Sequence, residues 1–418
     1  MPGNFRGTRG GDCASFEVQE TVSEGVGGRT LTGGSPGGGC SPGSISQPLR
    51  VGPAAARAQL DAGRAAISAG AVDAGLDCIR RAVLESESSG DRHLHVQALV
   101  ELGGALVHAV RGRDEEGAAV LHEALASAKD IGDVAAATKT CRELGFIDVQ
   151  AGRRERADAW LREAESLAEG DYGELAAILG VQGMNLSDCA RYPEALVVLE
   201  DSVDRADHAG TRRQQAWSMS LIGRLHHLRG WDTEARSVLD TCLGLVRDER
   251  WTAFSPWPET LLADIDLADH CTEAARDGYV HAFALACQLG DPCWEGVAAK
   301  GLAMVESQAG DPAEALAWLI DAHARCTRWP DAYQWVRASV LDATADFLIE
   351  TCDERGAECV EQLASLASRT GMREFVIRSH IHRARLGQPG ALEAAVIGVA
   401  QVDNPVLDTL VEEARREL

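Results

Sequence analysis

The chain has 418 residues, 45% of them hydrophobic but only 5% aromatic, and a formal net charge of −24. Phosphate affinity depends on clustered Lys and Arg, so this acidic balance argues against direct nucleic-acid binding. Ala, Leu, Arg, Glu and Asp dominate the usage, which favours helices over strands, and stacked repeats set no upper limit on the length of a single all-α array.

In chain order, residues 1–52 come first, and "GVGGRTLTGGSPGGGCSPGSISQP" has almost nothing to bury. Its ordering entropy would go unopposed, so this tail is expected to be disordered, and no function is assigned to it. No charged segment followed by an apolar one opens the chain, and no stretch reaches the roughly 18 apolar residues of a membrane span. The 12 cysteines form no CxxC pair and fall mostly in apolar helical stretches. A reduced, cytoplasmic protein without membrane contact is therefore expected.

From Pro53 to Leu418 amphipathic helices alternate with short polar turns. A small residue in the middle of a first helix is followed by a turn residue seven later and by a small residue twelve later, opening a second helix. The triplets are Gly63, Gly70, Gly75; Gly145, Gly152, Ala157; Gly183, Ala190, Ala195; Gly223, Gly230, Ala235; Ala263, His270, Ala275; and Ala303, Gly310, Ala315. Looser copies start at Gly103, whose turn carries two extra residues, and at Thr344, with Thr351 and Gly356. The period is close to 40 residues, over about eight units. Turns such as "SSGD", "DIGD", "HAGT", "QLGD" and "RTGM" close the units, with Gly stopping one helix and the next residue capping another.

At these positions the chain resembles the tetratricopeptide repeat family. The residues that carry the likeness are the Gly or Ala of the first helix in "SMSLIGRLHHLRGWDTEA", the turn Gly230 and the Ala235 that opens the second helix. The units are longer than the family's roughly 34 residues and lack its usual Tyr and Pro. "DPCWEG", "WPETLLADIDLA" and "RCTRWPDAYQWV" are similar to the repeat arrays of actinobacterial multidomain ATPases and LuxR-type transcriptional regulators. The resemblance implies a right-handed α-solenoid of about eight helical hairpins that binds protein or peptide ligands. No GxxxxGK[ST] phosphate loop and no recognition-helix pattern accompanies it, so the ATPase and DNA-binding parts are not expected.

Catalytic residues, metal ligands and cofactor-binding residues are expected to be absent. Cys293, Trp294 and Glu295 in "QLGDPCWEG" read as a helix start, with Asp291 as cap and Pro292 in the first turn. Neighbouring histidines such as His226 and His227 point about 100° apart and cannot share an ion. His323 and Cys326 supply only two ligands. No GxSxG nucleophile elbow occurs, so the chain is not expected to be an enzyme.

Binding is the expected activity. Eight of the nine tryptophans lie between residues 217 and 335, with Trp217, Trp257, Trp294 and Trp335 near the starts of four first helices. In a stacked superhelix the first helices line the concave face. Counted from the triplets, groove-facing residues are Arg142, Phe146, Ser187, Arg224, His227, Trp257, Thr260, Asp264, Lys300 and Met304. Arg224, His227 and Lys300 are positive groups suited to an acidic peptide. A small effector held in the Trp-rich region, as in the sensing arm of a split regulator, is the alternative. A homo-oligomerising scaffold would share the architecture.

Overall fold

Helices begin and end in this protein where backbone conformation forces them to. The computed structural model describes residues 52–417, within the unit Arg50–Leu418. The expectation of a disordered tail therefore falls on residues outside those described, save Gly52.

Nine antiparallel hairpins and a terminal helix make up the array. Each hairpin joins a first (A) helix to a second (B) helix: α1 (Pro53–Ser68) with α2 (Val72–Ser89), α3 (Arg92–His108) with α4 (Asp114–Ile131), and α5 (Val134–Gln150) with α6 (Arg154–Leu167). There follow α7 (Tyr172–Asp188) with α8 (Tyr192–Ala209), α9 (Arg212–Leu228) with α10 (Asp232–Asp248), and α11 (Pro256–Ala268) with α12 (Thr272–Leu289). The last three are α13 (Pro292–Ala309) with α14 (Pro312–Cys326), α15 (Gln334–Glu350) with α16 (Arg355–Thr370), and α17 (Arg373–Arg385) with α18 (Ala391–Val399), before α19 (Pro405–Glu417). Beyond the roughly eight units read from the sequence, residues 373–417 thus add a ninth hairpin and one further helix. Among the described residues no helix is long and apolar enough to cross a membrane.

Gly90, Gly132, Gly210, Gly290 and Gly371 end B helices in the left-handed conformation. The carboxylates of Asp91, Asp133 and Asp291 then accept from backbone N–H groups of the next helix. Thr211 does not cap; its hydroxyl turns back to the Ala206 carbonyl. At the A-to-B turns Gly70, Gly152, Gly230 and Gly310 are left-handed, and so are Ala190, His270 and Cys352, which lack glycine's freedom there. Cys352 corrects the eighth triplet: the turn residue is Cys352 rather than Thr351, which moves the helix position from Thr344 to the buried Ala345.

The small residue of an A helix lies against a large aliphatic residue of its B helix, sixteen positions later for Gly63 with Ile79, Gly145 with Leu161, Gly183 with Leu199 and Gly223 with Leu239, and eighteen later for Gly103 with Leu121. A Cβ on Gly145 would sit 2.8 Å from Leu161, and one on Gly223 would sit 2.5 Å from Leu239, which is fully buried. A helices are covered on nearly every side: α5 buries Cys141, Leu144 and Ile147 and also Glu143, Asp148 and Gln150. B helices bury one stripe, as α8 does with Ala195, Leu199, Ser202 and Ala206. Successive A helices pack on one another and form the inner side of the curve.

That curve is tight enough for its turns to touch. The backbone at Gly112 meets the Trp329 ring, Gly152 meets Thr370, and Gly230 meets Val406. Arg111 Nε donates to Asp291 Oδ2 at 3.0 Å, and the Asp114 backbone N–H donates to Asp331 Oδ2 at 2.8 Å. Arg154 Nε donates to the Thr370 carbonyl at 2.9 Å, Arg229 pairs with Asp403 at 2.7 Å, and the Tyr192 hydroxyl donates to Glu374. These partners are 174 to 217 residues apart, so one superhelical turn takes about five hairpins. The A-to-B turns of hairpins two to five form one side of this seam, and the B-to-A turns after hairpins six to nine form the other.

Gly223→Ala is expected to lower stability by about 1–3 kcal/mol, because Leu239 has no space to yield. Gly244→Ala, in an open helical position of α10 with no atom near its Cβ direction, is expected to raise it by about 0.5–1 kcal/mol. Urea unfolding midpoints of the two variants check both signs.

Candidate binding surface on the inner face

The inner side of the array is built from polar and aromatic side chains at one recurring register of the A helices, three residues before the small position and one after it. On α5 these are Arg142 and Phe146, on α9 Ser220 and Arg224, on α11 Thr260 and Asp264, and on α13 Lys300 and Met304.

Arg224 is 1% exposed rather than free on an open groove. Its NH1 donates to the Tyr333 hydroxyl at 2.9 Å, and its NH2 donates at 2.9 Å to both Asp188 Oδ1 and the Ser187 hydroxyl. The guanidinium also lies 4.5 Å from the centroid of the Trp335 ring. Tyr333 donates in turn to Asp188 at 2.8 Å, and burial pushes its phenol well above the ordinary range. Ser187 and Arg224 are therefore brought together, but inside the protein, where they tie the end of α7 and the middle of α9 to the loop before α15.

Trp257 is buried as well, and this corrects the expectation of an open aromatic groove. Its ring stacks on Trp294 at 4.9 Å and meets Trp335 edge-on at 6.2 Å, and Trp335 meets Phe375 at 6.0 Å. Trp217 lies over Gly180, which has no side chain to obstruct it, and approaches Phe146 at 6.4 Å. The indoles thus bridge A helices one and two hairpins apart. The Trp-rich stretch, where the alternative reading places a small effector, is packed with side chains. A cavity of about 310 Å³ lies elsewhere, on α10 and the turn after α11, beside Asp232, Arg236, Asp240 and Asp269. Thr260 is buried too, its hydroxyl donating to the Pro256 carbonyl.

The remaining expected residues are partly accessible. Arg142 donates from Nε to Glu174 at 2.6 Å and pairs with Glu143 at 2.9 Å. Burial alone would raise Glu143, but Arg142 and His108, whose Nε2 lies 2.6 Å away, hold it well below the usual carboxylate range. Phe146 packs on His108 at 5.1 Å. His227 Nδ1 lies 2.7 Å from Asp232, and Asp264 accepts from the Tyr279 hydroxyl at 2.6 Å. Lys300 reaches only the Ser339 hydroxyl, at 3.4 Å, and Met304 lies one helical turn along the same face.

Cys293, Trp294 and Glu295 form the helix start read from the sequence. Asp291 Oδ1 accepts from the Cys293 and Trp294 backbone N–H groups at 3.0 and 3.2 Å. Burial pushes the Cys293 thiol up to about 12, far from a nucleophile's requirement. Glu295 is clasped by Arg325 at 2.6 Å and Arg328 at 3.0 Å. The Cys326 thiol faces the His323 carbonyl, and burial pushes that thiol up to about 12. Among the described residues no group of three or more His, Cys, Asp or Glu side chains is placed to hold a metal ion.

Sequence reasoning missed Asp188, Tyr333, Tyr192 and Glu374. The available signal was the loop "TRWPDAY", longer than most B-to-A turns and the source of both Trp329 and Tyr333.

No family model matches the chain, and no curated protein does. Solved structures are similar at low identity. A Rap protein complexed with Competence and Sporulation Factor is 14% identical, with 76% of this chain and 89% of that chain covered and a TM-score of 0.60. A STAND-type signal transduction ATPase with a tetratricopeptide repeat sensor, from Pyrococcus horikoshii, is 14% identical over 82% of this chain and 54% of that one, with a TM-score of 0.47. The apo form of RapI is 11% identical over 87% and 98%, also with a TM-score of 0.47. The fold is an all-α, tetratricopeptide-like repeat solenoid.

Arg224→Ala is expected to cost about 3–5 kcal/mol, because it leaves Asp188 buried with one fewer partner; urea unfolding measures the loss. Glu143 contributes stability that is present above its ordinary value of 4.5 and lost as pH falls below it. Glu143→Gln is expected to flatten the acid limb of a stability profile below that pH.

Proposed function

We propose that this protein is a non-enzymatic scaffold that binds a protein or peptide on the inner face of its coil, in cytoplasmic signalling or transcriptional control. The observation that carries this reading is Lys300. All three lysines lie among the described residues; Lys129 pairs with Glu163 and Lys139 with Glu101, both within ion-pair distance, but Lys300 reaches only Ser339. In a chain of net charge −24, a half-buried ammonium that no carboxylate contacts directly, Asp342 lying only near enough to feel its charge beside Arg378 and His382, is a ready partner for an acidic side chain or a terminal carboxylate. Met304 beside it adds a deformable apolar contact. The surrounding A helices are held by buried ion pairs and stacked indoles, so little ordering entropy opposes binding. The likeness to a Rap protein complexed with a named factor supports a ligand-binding array of this shape.

His227 and Arg142 are already paired with carboxylates and contribute shape and specificity more than free charge. Arg224 and Ser187 hold the inner face in position and do not touch the ligand.

A pull-down read by mass spectrometry tests the reading. Lys300→Glu/Met304→Asp is expected to lose a partner at least about tenfold, a cost of roughly 1.4 kcal/mol or more. Val197→Asp/Ile320→Asp, on exposed outer positions of α8 and α14, is expected to retain it. Loss with the outer variant and retention with the inner one contradicts the proposal.

A further inference from the structure

One end of the seam brings two carboxyl groups together without a cation to separate them. Asp114 opens α4 beside the turn at Gly112, and its backbone N–H donates to Asp331 of the loop before α15 at 2.8 Å. The Asp114 side chain is buried and lines a cavity of about 10 Å³ with Asp331, Gln150, Cys293 and Trp329, room for about one water. Every charged or titratable neighbour is engaged elsewhere. Within its own turn Arg111 is bound to Asp291 and Arg113 to Glu116. From α3, His108 is bound to Glu143, and from the turn after α5, Arg153 is bound to Asp148. From the facing edge come Asp291, already paired, and Cys293, a buried neutral thiol.

We propose that Asp114, facing Asp331 across this cavity, is a proton-operated latch: a proton held on the buried Asp114 carboxyl keeps the turns of the coil in contact, and its loss parts this end of the seam. The geometry explains the direction. Two carboxylates facing one water-sized space repel when both are ionised, and parting the edges restores water to each. Burial and the like charge of Asp331 push Asp114 up from 3.8 to about 7 in the closed coil. A raised value in the closed state means that closure holds the proton. The contribution to closure is therefore complete below the ordinary carboxylate range and is lost as pH rises through about 7. The latch is independent of what the inner face binds.

Cys293 lines the same cavity and reports on its opening. The full chain is labelled with a maleimide at about pH 5.5, 7 and 8.5, and modification of Cys293 is read by peptide mass spectrometry. The rate is expressed as the ratio of wild type to Asp114→Asn, which cancels the thiol's own pH dependence. Because the proton's contribution to closure is already partly lost at the lowest of these pH values and wholly lost at the highest, the ratio is expected to rise about thirtyfold between them. Asp331→Asn is expected to suppress the rise equally, and it serves as the reference if Asp114→Asn fails to fold. A rise below about threefold between the lowest and highest pH, against whichever variant folds, overturns the latch.

Discussion

Close approach of two helices sets everything else in this molecule. A helix can come within reach of its hairpin partner's backbone only where a side chain is missing, and here a Gly in each of the first five A helices receives a leucine or isoleucine from its B helix. Because the same contact recurs with a period near 40, each hairpin is rotated on the last by a similar amount, and small rotations accumulate into a coil. The curvature then brings hairpins two to five against the far end of the chain. The seam and the packed inner face are consequences of that one repeated contact.

The seam gives the array a property that an open solenoid lacks. In an open array each repeat touches only its neighbours, and stability is a sum of local terms. Here Arg111, Arg154 and Arg229 on one edge meet Asp291, the Thr370 carbonyl and Asp403 on the other, so distant hairpins become coupled. The seam's first edge is rich in arginine and its second in carboxylates, whereas the free A-to-B turns of later hairpins carry Asp269, Asp311 and Asp353. Those turns do not offer the arginines that a further turn of the same kind would need. Buried polar contacts of this sort add little net stability over an apolar equivalent, but they demand one register.

Much of the scaffold was legible in the sequence because its signals are local. A seven-then-twelve spacing of small residues, glycine before a capping aspartate and a proline at Pro292 all act within one or two turns of chain. At Cys352 the register slipped by one, although Ala190 and His270, equally left-handed, were counted correctly, because the helices on either side of this turn keep the spacing less strictly. The inner face was legible as a face but not as a set of contacts. Arg224 counts correctly onto it, yet Asp188 lies 36 residues before and Tyr333 lies 109 residues after, and nothing in the repeat predicts their meeting. The spacing of the tryptophans likewise shows that they share a side, and only the curvature shows which of their rings pack together.

The coil's closure is the central claim, and a single distance tests it. Spin labels carried by non-natural amino acids at Glu155 and Arg369, exposed positions flanking the contact between Arg154 and Thr370, would be measured by pulsed electron resonance at slightly acid pH. The account predicts one narrow, short distance. Five hairpins stacked without closure, each adding about 8–10 Å, would place the labels roughly 40–50 Å apart. A broad distribution centred there would contradict it.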